Sequence, residues 1–161
     1  MSALGSGSSI GHEMAESQLE EATISVQAAE DDLKAGRYAR AVFNSQQCLE
    51  LAMKAALTVH GIIQLLEHDV MPYFASEVVT RVSNEWVEAF REIIRETSWL
   101  FEHYTLSRYP MVRGRRIWRP SREYTRQQAE EAINSAKKAL EIITRYLKEK
   151  FKITLPSDPI P

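Results

Sequence analysis

Apolar residues recur at intervals of three and four along four long stretches of the chain, which is the spacing of one face of an α-helix. The pattern predicts helices over about 13–34, 38–60, 84–104 and 126–150. A short turn at about 35–37 joins the first two, so we expect these helices to lie antiparallel and in contact.

The stretch between the second and third long helices is less regular. A short buried helix is predicted from the apolar residues Ile62, Ile63, Leu65 and Leu66. Pro72 interrupts the run because it cannot donate a helical hydrogen bond, and residues 73–81 predict another short helix. No segment alternates with period two for long enough to predict a strand. The chain is therefore predicted to be all-α, an antiparallel up-and-down bundle of four long helices plus one or two short helices.

The composition is that of an ordinary globular protein, with 44% hydrophobic and 26% charged residues in a chain of 161. We predict a helical bundle over residues 13–150. Residues 1–12 are rich in Ser and Gly and are expected to be a disordered leader or a cloning remnant, and 151–161 an extended, proline-rich tail. No apolar run is long enough to predict a transmembrane helix, so no membrane partner is expected and the cytoplasm is the default location.

Metal and redox chemistry find little support in the sequence. The single cysteine, Cys48, excludes an intramolecular disulfide and a multi-cysteine zinc site. There is no His-Glu-x-x-His motif and no glycine-rich phosphate loop, and the four histidines lie far apart in sequence. We therefore predict no metal and no cofactor.

The part of the chain with the strongest excess of one charge is a basic segment that follows the third long helix. Seven arginines and one acid, Glu123, lie between Arg108 and Arg126. Arginine suits bidentate recognition of phosphate, and the interleaved rings of Tyr109 and Trp118 are of the kind that stack on bases. Because the net charge is −2, any attraction to phosphate has to be local. The alternative is a solvated connector, or arginines paired with acidic helix faces.

A polar stripe on the second helix is the other candidate feature. Gln47, Glu50 and Lys54 fall on one face at 100° per residue, and the last two form an i,i+4 pair. The stripe is either a solvated ion pair or part of a site.

The second helix resembles the signature of HEPN domains, the "higher eukaryotes and prokaryotes nucleotide-binding" domains. The matching positions are Tyr38, Ala41, Gln46, Gln47, Glu50, Lys54 and Ala55, with Cys48 in place of the usual alanine. Two later segments are similar as well: Arg108-Tyr109-Pro110, and Tyr124-Thr125 with Ala129 and Ala132. The resemblance covers about residues 16–150, and His68 corresponds to a histidine that is common after the second helix.

The resemblance implies a bundle of four or five helices that is usually a homodimer. Many prokaryotic members are encoded beside a minimal nucleotidyltransferase as toxin–antitoxin pairs. We therefore expect a dimeric protein that binds nucleotide or RNA phosphate, with a minimal nucleotidyltransferase as its partner. The expected binding residues are Arg108, Tyr109, Gln47, Glu50, Lys54, Arg113, Arg115 and Arg116.

Catalysis is a separate question, because active toxin members are metal-independent ribonucleases. Their motif is an arginine followed by a histidine with four to six residues between, placed at the dimer cleft. Arg95 and His103 have seven residues between them, so the motif is absent and enzymatic activity is disfavoured. A divergent ribonuclease would use Arg108 to stabilise the phosphate and His103 or Tyr109 to transfer protons. A third possibility is a protein-interaction module with no nucleotide site.

Overall fold

The computed structural model describes residues 2–155, with side chains from residue 10 onward. Its elements, in chain order, are α1 (Ser2–Lys34), α2 (Tyr38–Val59), α3 (Met71–Tyr73), a π-helical segment (Phe74–Val79), α4 (Asn84–Leu106), β1 (Met111–Arg113), β2 (Arg116–Trp118), α5 (Pro120–Glu123) and α6 (Arg126–Phe151). The predicted all-α bundle of four long helices is confirmed. Among the described residues, no helix is long and apolar enough to span a membrane.

Helix α2 forms the centre of the bundle and packs against α1, α4 and α6. Many of its buried residues are small, including Ala41, Ala52 and Ala55, so the neighbouring helices approach closely. Fully buried larger side chains such as Leu49 and Phe90 fill the remaining space, each contributing about 1.5–3 kcal/mol of transfer free energy. Cys48 is buried in this core, and burial raises the pKa of its thiol to about 12.

The last helix begins where the sequence predicts. Thr125 accepts a hydrogen bond from the Gln128 backbone amide, and the Gln128 side chain bonds back to the Thr125 amide. This reciprocal capping box fixes the start of α6. It also fixes the end of the basic segment, because α5 ends directly before it.

The prediction of a short helix over residues 62–66 is wrong. These residues are non-helical, and the Leu66 side chain is 84% exposed. Two left-handed residues, Gly61 with φ 93° and Gln64 with φ 60°, interrupt any helical path. The second short helix lies at Met71–Val79 rather than 73–81, and Pro72 belongs to its first turn, where a missing amide hydrogen costs nothing.

The prediction that the chain has no strand is also wrong. Strands β1 and β2 form an antiparallel hairpin in which Val112 lies opposite Ile117. Its loop is Gly114-Arg115, and the φ of 62° at Gly114 fits the first central position of a type II′ turn. Each strand is only three residues long, which is too short for alternation to show in the sequence.

Helix α1 begins at Ser2 rather than near residue 13, so helical backbone runs through most of the segment predicted as a leader. At the other end, α6 ends at Phe151 and Lys152 turns the chain with a φ of 57°. The domain limits at 13 and 150 stay predictions. Most of the predicted proline-rich tail, residues 156–161, lies outside the described residues.

Candidate functional site

Arg108 lies just beyond the end of α4, and its side chain crosses to α2. The guanidinium is held between two rings, 3.9 Å from the centroid of Phe43 and 3.8 Å from that of Tyr104. Nη1 donates to Gln46 Oε1 at 3.3 Å and to the Tyr104 carbonyl at 2.8 Å, and Nη2 donates to Gln47 Oε1 at 2.9 Å. Partial burial lowers the pKa of Arg108, but a guanidinium stays charged at neutral pH.

The same polar contacts continue along α2 to Glu50, whose side chain is only 2% exposed. Its carboxylate accepts from Gln46 Nε2 at 3.2 Å and from Lys54 Nζ at 3.0 Å. The carboxylate also lies 3.4 Å from His68 Nδ1, and the His68 ring stacks on Tyr104 with centroids 4.3 Å apart. A continuous network therefore joins Arg108 to Lys54, and each member restricts the rotamers of the next.

Sequence reasoning named Gln47, Glu50, Lys54 and Arg108 as expected binding residues and left open whether they touch. In the structure all four belong to one polar network. Sequence reasoning missed Phe43 and Tyr104, the two rings that hold the guanidinium, and it named Gln46 only as a position of the α2 signature, not as a binding residue. A signal was available, since Phe43, Gln46, Gln47 and Glu50 are spaced i, i+3, i+4 and i+7 on one helix face. Nothing in the sequence pointed to Tyr104, because it belongs to the apolar stripe of α4.

A cavity of about 450 Å³ adjoins Arg108 on the side of the α1–α2 turn. Its walls are the turn and the start of α2, the segment that follows α4, and the start of α5. The lining residues are Gly36, Arg37, Tyr38, Ala39, Arg40, Ser107, Arg108, Pro110, Pro120 and Ser121. Three arginines are among these residues and no acidic residue is. Arg37 is partly neutralised from outside the cavity, because its Nε donates to Asp32 at 2.8 Å.

The other predicted arginines lie on the hairpin and are exposed. Arg116 donates to both oxygens of Glu123 at 2.6 and 2.7 Å, and Arg113 lies 5.1 Å from the ring centroid of Trp118. Arg115 occupies the turn. The Trp118 indole donates to the Leu106 carbonyl at 2.8 Å, which fixes the hairpin against the end of α4.

The candidate catalytic residues do not form one constellation. His103 Nδ1 lies 2.7 Å from the Tyr124 hydroxyl, and burial lowers the pKa of His103 and raises that of Tyr124. Tyr109 is 54% exposed on the hairpin side, and Arg95 is an exposed residue paired with Glu88 at 2.8 Å. Among the described residues, no cluster of His, Cys, Asp and Glu has the arrangement of a metal site.

Comparison with known proteins gives a consistent result. The family model of the HEPN domain matches residues 15–148. The chain is 35% identical over 138 residues to MJ1304 of Methanocaldococcus jannaschii, whose name describes it as a candidate toxin; the match covers 81% of this chain and 90% of that protein.

Two solved structures resemble this fold over most of their length. TT1696 from Thermus thermophilus has a TM-score of 0.61 and 31% identity, covering 81% of this chain and 96% of that one. ST0689, an archaeal HEPN homologue, has a TM-score of 0.62 and 28% identity, covering 83% and 98%. On the match to the family model and on these relatives, the chain belongs to the HEPN domain family.

Proposed function

We propose that this HEPN-domain protein binds the phosphate of a nucleotide or RNA at the cavity beside Arg108, as half of a toxin–antitoxin pair with a minimal nucleotidyltransferase. The observation that carries the proposal is the cavity lining, which holds Arg37, Arg40 and Arg108 and no carboxylate. Its volume of about 450 Å³ falls in the range of small-molecule sites, roughly 300–1,000 Å³.

The remaining donors of Arg108 support a binding role. Gln46, Gln47 and the Tyr104 carbonyl take up both Nη atoms, but Nε has no acceptor among the described residues. The rings and the amides fix the guanidinium in one orientation before a ligand arrives. Preorganisation of this kind lowers the entropy lost on binding.

The predicted residues of α2 then have positioning roles. Gln47 orients Arg108 directly, while Glu50 orients Gln46, which in turn orients Arg108. The Lys54 ammonium is occupied by Glu50, so Lys54 acts as an ion-pair partner rather than as a phosphate ligand. Arg113, Arg115 and Arg116 extend the basic surface along the hairpin, and Tyr109 lies just before its first strand.

Fluorescence anisotropy of labelled RNA and of ATP tests the proposal. We expect saturable binding that weakens steeply as salt is raised, because neutralising phosphates releases counterions. Arg40→Ala removes an exposed guanidinium from the cavity and should weaken binding. Arg95→Ala, which removes an exposed guanidinium elsewhere on the bundle, is the matched control and should leave binding unchanged. The proposal would be contradicted if no saturable binding were found, or if both variants lost the same affinity.

The toxin–antitoxin assignment and the homodimer form a separate part of the proposal. They rest on the family and on MJ1304, a relative whose name describes it as a candidate toxin. Co-purification of the tagged protein from its native host, in the cytoplasmic fraction, should recover a nucleotidyltransferase. Sedimentation of the purified chain should give twice the monomer mass. Recovery of the chain as a lone monomer in both experiments would contradict the pairing and the dimer.

A divergent ribonuclease is the second candidate, and one observation favours it. The lowered pKa of His103 keeps its ring largely neutral near pH 7, which is the protonation state a general base needs. A gel assay with EDTA present should then show RNA cleavage that is lost in His103→Ala with Tyr109→Ala. Cleavage that persists unchanged in this double variant would refute those roles.

A further inference from the structure

The loop between α2 and α3, residues 60–70, contains neither helix nor strand. Two of its apolar side chains face water, with Ile63 42% and Leu66 84% exposed. Gln64 takes a left-handed φ of 60°, which is a strained conformation for a residue that has a side chain. Apolar burial alone therefore does not explain the path of this loop, and strain of this kind persists where a particular contact requires it.

The contact that this path provides is that of His68. The His68 ring stacks on the ring of Tyr104, with centroids 4.3 Å apart and an angle of 21° between the ring planes. Its Nδ1 lies 3.4 Å from Oε2 of Glu50. Because Tyr104 belongs to α4 and Glu50 belongs to α2, one side chain of the loop bridges two helices of the bundle.

Both groups that His68 contacts also hold Arg108. The Tyr104 ring centroid lies 3.8 Å from the guanidinium carbon, and the Tyr104 carbonyl accepts a hydrogen bond from Nη1. Glu50 accepts from Gln46, whose Oε1 in turn accepts from Arg108. His68 itself is not among the residues that line the cavity. Its contacts therefore reach a bound ligand through the groups that orient Arg108.

The stability of the bundle does not require the contact between His68 and Glu50. The Glu50 carboxylate already accepts from Lys54 Nζ at 3.0 Å and from Gln46 Nε2 at 3.2 Å. The His68 side chain is 54% exposed, and an ion pair with so exposed a partner contributes little to folding. The loop thus holds a half-exposed histidine against two groups that share one role, the orientation of Arg108.

We propose that His68 is a positioning residue for the phosphate site. It holds the Tyr104 ring against the Arg108 guanidinium and keeps the Glu50 carboxylate in place. The proposal rests on the proposed function and deepens it, because it assigns the loop a part in binding. A site whose donors are fixed before the ligand arrives loses less entropy on binding. Without His68 the Tyr104 ring has more freedom to leave the guanidinium, so part of the binding free energy goes into ordering Arg108.

Anisotropy of the labelled RNA with His68→Ala tests the proposal at pH 8, where histidine side chains in general contribute little charge. We expect the affinity to fall about three- to tenfold, because the preorganisation of Arg108 is lost. The slope of log affinity against log salt should stay the same, since no phosphate contact is removed, whereas Arg40→Ala should reduce its magnitude by about one. His12→Ala is the matched control. The His12 imidazole is also partly exposed and lies 3.4 Å from a glutamate, Glu16, so its removal should leave the affinity unchanged.

Two conservative variants separate positioning from a general effect on structure. His68→Phe keeps a ring that can stack on Tyr104, and His68→Asn keeps a polar group near the position of Nδ1. At least one of them should restore half or more of the binding free energy that His68→Ala loses. Circular dichroism at the assay temperature identifies the folded variants. His68→Leu, which fills similar space without a planar ring or a polar group, replaces His68→Ala if that variant does not fold.

The possible results separate this proposal from the proposed function. An affinity that is unchanged in His68→Ala but weakened by Arg40→Ala would overturn the positioning role and keep the proposed function. A smaller salt slope for His68→Ala would assign His68 a direct phosphate contact, and an equal loss in His12→Ala would show that the loss is not specific to the site. Either result would overturn the inference, as would the failure of both conservative variants to restore binding. If the unmodified protein does not bind RNA, the inference and the proposed function fail together.

Discussion

Arg108 and the hairpin arginines belong to one basic stretch of sequence, but the fold gives them different surroundings. Arg108 is held between two rings and hydrogen-bonds to two glutamines and a carbonyl. Arg113, Arg115 and Arg116 are exposed, and Glu123 partly neutralises the last of them. The difference separates a guanidinium that organises the bundle from guanidinium groups that contribute charge to a surface.

Replacing Arg108 with alanine should have the largest effect. It removes two ring contacts and leaves the Gln46 and Gln47 oxygens and the Tyr104 carbonyl without their donor, so we expect a loss of about 2–4 kcal/mol in unfolding free energy. Urea denaturation measures it. Arg108→Lys should retain only part of this unfolding free energy, because an ammonium lacks the planar set of N–H donors that a guanidinium has. If Arg108→Ala lowers the unfolding free energy no more than Arg115→Ala does, the proposed difference between the two regions is contradicted.

Gly114→Val should have the next largest effect, because it strains the hairpin turn. A β-branched residue at a φ of 62° costs about 1–2 kcal/mol. We expect the hairpin to loosen while the bundle stays folded. Hydrogen exchange of the Arg113 and Arg116 amides, the hydrogen-bonded pair that flanks the turn, should accelerate, and exchange in α2 should not. Acceleration in both would mean that hairpin and bundle unfold as one unit.

Arg115→Ala should leave stability within about 0.5 kcal/mol, since exposed substitutions away from packed features have small effects. If the hairpin contacts RNA phosphate as proposed, the slope of log affinity against log salt should fall by about one. Arg95→Ala serves as the control with an unchanged slope. An unchanged slope for Arg115→Ala as well would confine binding to the cavity.

The pH dependence should be the smallest effect. Burial lowers the pKa of His103, which contacts Tyr124, and of His60 in the bundle. A histidine with a lowered folded-state pKa binds fewer protons when folded, so its contribution is complete above the unfolded value of about 6.5 and is lost as pH falls below it. Urea midpoints should therefore fall as pH is lowered from 7 towards 5. His103→Gln and His60→Gln should each flatten this decline, and an unchanged decline in both variants would contradict the assignment.

Most of the fold could be predicted because its signals are local. The apolar spacing of three and four predicted α1, α2, α4 and α6. The hairpin could not be predicted, since three-residue strands give no detectable period. The helix predicted over residues 62–66 was wrong because apolar residues can also pack in an irregular segment, where neighbouring elements cover some of them.

Part of the candidate site was also predictable from the sequence. Helical spacing places Gln47, Glu50 and Lys54 on one face. Arg108 entered the candidate site through the resemblance to HEPN domains, because Arg108-Tyr109-Pro110 is one of the three segments that carry it. The spacing could not distinguish a solvated ion pair from a buried one, because burial depends on what the other helices cover. Glu50 proves to be buried, and its partners come from α2 and from the loop that holds His68.

The sequence by itself determined a HEPN-type helical bundle, its α2 signature and a basic segment after α4, because these depend on helical period, capping and residue type. The tertiary structure alone decided that Arg108 is enclosed by Phe43 and Tyr104 and that a cavity adjoins the start of α2. These features arise where the end of α4 meets the start of α2. Contacts between residues far apart in the chain have no signature in local spacing.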